Sequence, residues 1–162
     1  MGDWLEEGKK FPKVTMKNEL GESVKVADHE GQYVVVYFYP KDNTPGCTRE
    51  ACEFRDQASQ FKRNNAVVYG VSPDDVESHK KFSDKFDLNF SLLVDKDHKV
   101  AEKLGSWREK NMYGKKFMGI VRSTFLIAPD GKVAKVWKKV KVDGHADAVL
   151  DALKAHKKAQ KS

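Results

Sequence analysis

Cysteine is scarce in this 162-residue chain: there are two, Cys47 and Cys52. No framework of disulfides can therefore stand in for a core, and in a reducing compartment the pair is not expected to form a permanent staple. Long apolar runs are missing as well. No stretch approaches the roughly 20 apolar residues of a membrane span, and the opening MGDWLEEGKK lacks the apolar core of a signal peptide. A cytoplasmic protein away from membranes is expected. Met1-Gly2 begins like a myristoylation site, but Glu6 stands where Ser or Thr is required. His29, His79, His98, His145 and His156 are scattered without ligand spacing, so no metal is expected and most of them read as surface residues. Repeats, linkers and low-complexity segments are absent, apart from a lysine-rich end read as a frayed tail from about residue 155.

What is present suits one domain over 1–162, with 40% hydrophobic residues. The net charge of +6 lies largely in VWKKVKV and KAHKKAQKS. No Arg-rich motif or regular aromatic spacing accompanies it, so it reads as a solvated face and no nucleic-acid partner is expected. KVTMKNELGESVKV alternates apolar and polar residues about a turn, as an N-terminal β-hairpin does. YVVVYFY is apolar throughout and reads as a strand buried on both faces, ended by Pro40. Ala51, Phe54, Ala58 and Phe61 recur at helical spacing. AVVYGVS and NFSLLVD are further core strands, separated by a helix that opens at Pro73-Asp74-Asp75 and runs to about Phe86. A short helix ends at Gly105. VRSTFLIAPDGKVAKVW folds back at Pro129-Asp130-Gly131, and Ala146, Val149, Leu150 and Leu153 stripe a last helix. This order predicts an α/β fold: a thioredoxin-like three-layer sandwich about a central mixed sheet.

The two cysteines follow the strand-like run YVVVYFY. A free thiol has a pKa near 8.5, so only about 3% is thiolate at pH 7. Cys47 sits at the start of a helix, where unpaired N–H groups and the macrodipole favour an anion. Thr44, Pro45 and Gly46 lead into it. The Thr44 hydroxyl could donate to the sulfur or to a bound oxygen, and Gly46 permits close backbone approach. Cys52 is five residues on, about 7.5 Å along a helix axis, whereas a disulfide needs Cα atoms about 4.4–6.8 Å apart. The pair can therefore close only if the helix start unwinds. Cys52 could also be plain helix core, Thr44 a capping residue and Arg122 a surface ion-pair partner.

PKDNTPGC matches the P-x-x-x-T-x-x-C pattern of peroxiredoxins, and TPGCTREAC, GVSPDDVESHKKF, FSLLVD and GKKFMGIVRSTFLI resemble the bacterioferritin comigratory protein or peroxiredoxin Q branch. The resemblance spans nearly the whole chain. It implies a peroxidatic Cys47, a resolving Cys52, and an active site shared by Arg122, Thr44 and Pro40, with Glu50 orienting an arginine. It further implies reduction of hydrogen peroxide and organic hydroperoxides without a cofactor, recycling by thioredoxin or a similar dithiol reductant, and a monomer. The end of the chain lacks the Tyr-Phe extension of overoxidation-sensitive peroxiredoxins, so easy sulfinic inactivation is not expected. Trp107 and Tyr113 could line the pocket, contact a reductase or sit in the core. Two rival functions remain: a dithiol-disulfide oxidoreductase, which favours the shorter C-x-x-C spacing, and a basic nucleic-acid-binding protein whose thiols sense redox state.

Overall fold

A strand with no polar face has to lie inside a sheet covered on both sides, and the run from Tyr33 does. The computed structural model describes residues 3–29 and 31–160. In chain order it contains β1 (Thr15–Lys17), β2 (Ser23–Lys25), β3 (Tyr33–Phe38), α1 (Pro45–Asp56), α2 (Ala58–Arg63), β4 (Ala66–Ser72) and α3 (Val76–Lys85). There follow β5 (Ser91–Val94), α4 (Lys99–Leu104), β6 (Trp107–Met112), β7 (Lys115–Ile120), β8 (Ser123–Ile127), β9 (Val133–Trp137) and α5 (His145–Gln160). Seven strands form one mixed sheet in the order β2-β1-β5-β4-β3-β8-β9. β3, β4 and β5 run parallel, while β8 is antiparallel to β3 and the β1–β2 hairpin extends the β5 edge antiparallel.

All six residues of β3 are buried, and alternation sends them into two cores. Val34, Val36 and Phe38 join Phe11, Leu93, Leu104 and Phe125 on the face covered by α4 and the N-terminal segment. Val35 and Tyr37 join Ala51 and Phe54 of α1, Phe61 of α2, Phe82 of α3 and Leu153 of α5 on the other. Tyr37 stacks on Phe54 with ring centroids 4.6 Å apart, which seats α1 directly over the central strand. Among the described residues no helix is long and apolar enough to cross a membrane.

Three features differ from the sequence reading. The stripe from Ala51 to Phe61 is divided between two helices, because the chain leaves helical geometry at Gln57. β6 and β7 form a separate two-stranded antiparallel ribbon that the residue pattern does not announce. The basic end is no frayed tail as far as Gln160. α5 continues through it, His156 Nδ1 lies 2.8 Å from the Tyr33 hydroxyl, and Lys157 and Lys158 complement the negative end of the helix.

The tight packing has a testable point at Gly70, which pairs with Tyr37 on one side and Leu92 on the other. A Cβ there would stand 2.8 Å from the Tyr37 hydroxyl and 2.9 Å from a Leu92 methyl. Gly70→Ala is expected to lower unfolding stability by about 1–3 kcal/mol through overpacking. Denaturant titration checks this, and an unchanged midpoint would mean that Tyr37 can shift without loss.

Candidate active site

The site forms where β3 gives way to α1. Pro40 has no N–H to continue the sheet ladder, and the loop from Pro40 to Thr44 carries the chain onto the helix face. Thr44 is the extended N-cap of α1 and Pro45 takes the first turn, where a missing N–H costs nothing. The first intrahelical bond is Thr48 N–H to Thr44 O at 2.8 Å, so the Gly46 and Cys47 amides lie ahead of it at the positive end of the helix. Cys47 is 2% exposed. Thr44 does not meet the sulfur: its hydroxyl donates to the Lys41 carbonyl at 2.9 Å, which leaves the oxygen free as an acceptor.

Arg122 reaches this point from the segment between β7 and β8. Ser123 pairs with Phe38 at the end of β3, so the residue before it stands beside the loop that opens α1. One terminal nitrogen of the guanidinium is 3.5 Å from Cys47 Sγ and the other donates to Glu50 Oε1 at 2.7 Å. Gly46 makes room for it, since a Cβ there would lie 3.2 Å from that guanidinium nitrogen. Of the residues expected at the site, Cys47, Gly46, Glu50 and Arg122 stand together in space. Cys52 is half-buried on the same continuous helix, and both thiols are free.

Burial raises the Glu50 carboxyl to a pKa of about 7, although Arg122 pulls the other way. Glu50 Oε2 and the Tyr37 hydroxyl are both buried and have no hydrogen-bond partner among the described residues. Burial also pushes the Tyr37 hydroxyl well up, with Glu50 and Cys47 adding to it. Burial opposes the charge on Arg122, but Glu50 and Cys47 outweigh it and hold the guanidinium protonated.

Two nearby groups are not among the site residues expected from the sequence. Lys110 of β6 donates to the Ile120 carbonyl at 2.9 Å, and burial and the Arg122 charge lower its pKa. His145 is buried, 2.7 Å from the Thr124 hydroxyl, and burial with the Arg122 charge takes its pKa down to about 4. No motif marks either residue; the ribbon and the α5 start deliver them. His79 is likewise fully buried, while His29, His98 and His156 are half-buried, so none of the five is the fully exposed surface residue that the sequence suggested for most of them. Trp107 packs against the core with its ring flat on His98, centroids 3.5 Å apart, while Tyr113 at the ribbon tip is 99% exposed. A cleft of about 630 Å³ lined by Phe61, Val68 and Phe90 includes neither cysteine.

The AhpC/TSA family profile matches residues 8–136. The chain belongs to the AhpC/TSA family. Within these peroxiredoxins it is 51% identical over 150 residues to peroxiredoxin Bcp of Bacillus subtilis, covering 93% of this chain and 96% of that one. It is 45% identical over 152 residues to the Escherichia coli Bcp, covering 94% and 97%. Among solved structures, the bacterioferritin comigratory protein of Xanthomonas campestris, described for alkyl peroxide reduction, superposes with a TM-score of 0.84 at 46% identity over 88% of this chain and 91% of that one. The C47S variant of Xylella fastidiosa PrxQ gives 0.90 at 39% identity over 96% and 99%. This peroxiredoxin is of the Bcp/PrxQ branch, with the thioredoxin fold and the activity of a thiol peroxidase.

In this peroxiredoxin the approach of Arg122 over Gly46 is a sensitive contact. Gly46→Ala is expected to push the guanidinium off the sulfur by a few tenths of an ångström and slow peroxide reduction roughly tenfold. Arg122→Ala is expected to slow it on the order of a hundredfold or more, as for loss of an oxyanion donor. Stopped-flow rates check both, and a parental rate in Gly46→Ala would mean that Arg122 retreats without cost.

Proposed function

We propose that Cys47 is the peroxidatic thiol, Cys52 the resolving thiol, and that the enzyme reduces hydrogen peroxide and organic hydroperoxides at the expense of thioredoxin or a similar dithiol reductant. The observation that carries this reading is the two-way bond of Arg122, one nitrogen on the Cys47 sulfur and the other on buried Glu50. The Cys47 thiolate, which lies beside the Arg122 cation at the helix start, attacks the terminal peroxide oxygen. The sulfur–oxygen bond forms as the oxygen–oxygen bond breaks, and the departing alkoxide takes a proton to leave as alcohol or water. Arg122 and the Cys47 amide stabilise the charge developing on that oxygen. Thr44 accepts from the peroxide hydroxyl to hold it in line, and Pro40 shields the thiolate from water. The Cys52 thiol then attacks the Cys47 sulfenic acid, releasing water and leaving a disulfide that the dithiol reductant opens.

Cys47→Ser is expected to abolish turnover, because an alcohol is scarcely ionised at neutral pH. Cys52→Ser should keep one rapid oxidation of Cys47 but lose multiple turnover with thioredoxin, with sulfenic and then sulfinic acid found by mass spectrometry. Substantial turnover in the first variant, or an unimpaired steady state in the second, would overturn the assignment of that residue.

Disulfide formation requires α1 to open, since five helical residues separate the thiols by about 7.5 Å along the axis. Amide exchange across residues 47–54 should be faster and the helical signal weaker in oxidised than in reduced protein, with β3 protected in both. Equal exchange in the presence of a verified Cys47–Cys52 disulfide would refute the unwinding.

A further inference from the structure

The loop that carries Pro40 and Thr44 is anchored by a residue the reaction itself does not use. Asp42 is 7% exposed although it lies in a loop. Its Oδ1 accepts from the Tyr39 hydroxyl at 2.5 Å, and its Oδ2 accepts from the Ser78 hydroxyl at 2.8 Å and faces His79 Nδ1 at 2.7 Å. Its backbone N–H donates to Asp74 Oδ2 at 2.8 Å, the same oxygen that accepts from Ser72 at 2.7 Å. One loop residue is thus tied to the end of β3, the end of β4 and the first turns of α3.

His79 completes the anchor from inside the protein. It is 0% exposed, and its Nε2 lies 2.8 Å from the Leu93 carbonyl of β5. A carboxylate and a carbonyl can only accept, so both ring nitrogens have to carry hydrogen and the ring is an imidazolium. Its charge is neutralised in place by Asp42. Asp42, Asp74 and His79 stand close enough to suggest a cation site. Their polar atoms are instead taken up by one another and by Tyr39, Ser72, Ser78 and Leu93, which is the pattern of a closed ion-pair network.

We propose that His79 is a positioning residue for peroxide reduction: held as an imidazolium between Asp42 and the Leu93 carbonyl, it fixes the Pro40–Thr44 loop and so the alignment of peroxide at Cys47. The proposal rests on the peroxidase reading above. A neutral ring has one N–H for two acceptors, so on losing its proton it releases either the loop or the sheet, and a buried carboxylate left short of a donor is costly. Burial alone would lower the His79 pKa, but the Asp42 hydrogen bond and charge, the Leu93 carbonyl and Asp74 outweigh it and raise it. The groups facing the ring are Asp42 and Asp74 from the loops, Tyr39 from the β3 end at 6.4 Å between centroids, and only a carbonyl from β5. With the folded value above the ordinary 6.5, the anchor is complete at lower pH and is lost as pH rises through the folded pKa.

The test compares two reactions of the same thiol. Alkylation by iodoacetamide needs only the thiolate, whereas peroxide reduction also needs the loop to hold both oxygens in line, so the ratio of the two rates reports alignment and cancels ionisation of Cys47. In the parent enzyme the peroxide-to-iodoacetamide ratio is expected to fall as pH rises, with the midpoint at which His79 itself titrates by NMR. In His79→Gln the ratio should be at least tenfold below the parent at low pH, and this pH-dependent fall should be gone, while Glu50 still titrates. Asp42→Asn, which removes the charge that holds the His79 proton, should move both midpoints to lower pH. Should His79→Gln not fold, the parent and Asp42→Asn curves decide by themselves. A ratio that ignores the His79 midpoint, or one within twofold of the parent in folded His79→Gln, would overturn the proposal. A parent Cys47 that does not react with peroxide would instead overturn the peroxidase reading.

Discussion

The guanidinium of Arg122 has to satisfy a sulfur at the surface of the site and a carboxylate behind it, and much of the structure follows from that demand. Glu50 is 1% exposed and can carry charge only because Arg122 donates to it at 2.7 Å. Gly46 is small enough to let the guanidinium pass. The backbone of Arg122 is held from both sides. Ser123 is paired with Phe38, and the Arg122 carbonyl accepts from Val140 N–H at 3.0 Å. A flexible four-torsion side chain thereby arrives at one place with little freedom left to lose.

The same arrangement carries a built-in weakness. Glu50 Oε2 and the Tyr37 hydroxyl are buried without partners among the described residues, and the helix above them breaks at Gln57 after three turns. Against this stands Phe54, fully buried between Tyr37 and His145. Exposing one Phe side chain costs about 1.5–3 kcal/mol, within the range of local opening in a stable domain. A helix seated by one aromatic and strained by two orphaned polar atoms is suited to the reversible opening proposed for the disulfide step. Asp42 precedes α1 and its partners Ser78 and His79 belong to α3, so the loop can stay anchored while α1 opens.

The β6–β7 ribbon has the least core of its own. From Asn111 to Met118 every residue is exposed, yet its base contributes Lys110 to the neighbourhood of Arg122 and Trp107 to the core. Its mixed alternation, WREKNM and KKFMGI, buries almost nothing along its length, so no apolar period marks it as a strand. It is a hairpin by backbone pairing alone.

The sequence alone determined the parts governed by local physics and by periodic burial. The apolar run from Tyr33, the strand at Ala66–Ser72, the turn at Pro129-Asp130-Gly131 and the helix start at Cys47 were legible because burial period, turn chemistry and capping act within a few residues. The motif residues placed the family for the same reason, as short spacings around Cys47. Only the tertiary structure decided what the long-range partners are. It turned the Thr44 hydroxyl toward Lys41, buried His79 and His145 in a chain whose histidines look like surface residues, and carried the last helix on to Gln160 by setting His156 against Tyr33. A polar side chain carries no periodic signal of its own; whether it is solvated or buried and charged depends on donors and acceptors brought from 37 residues away, as for His79 and Asp42, and from 123, as for His156 and Tyr33.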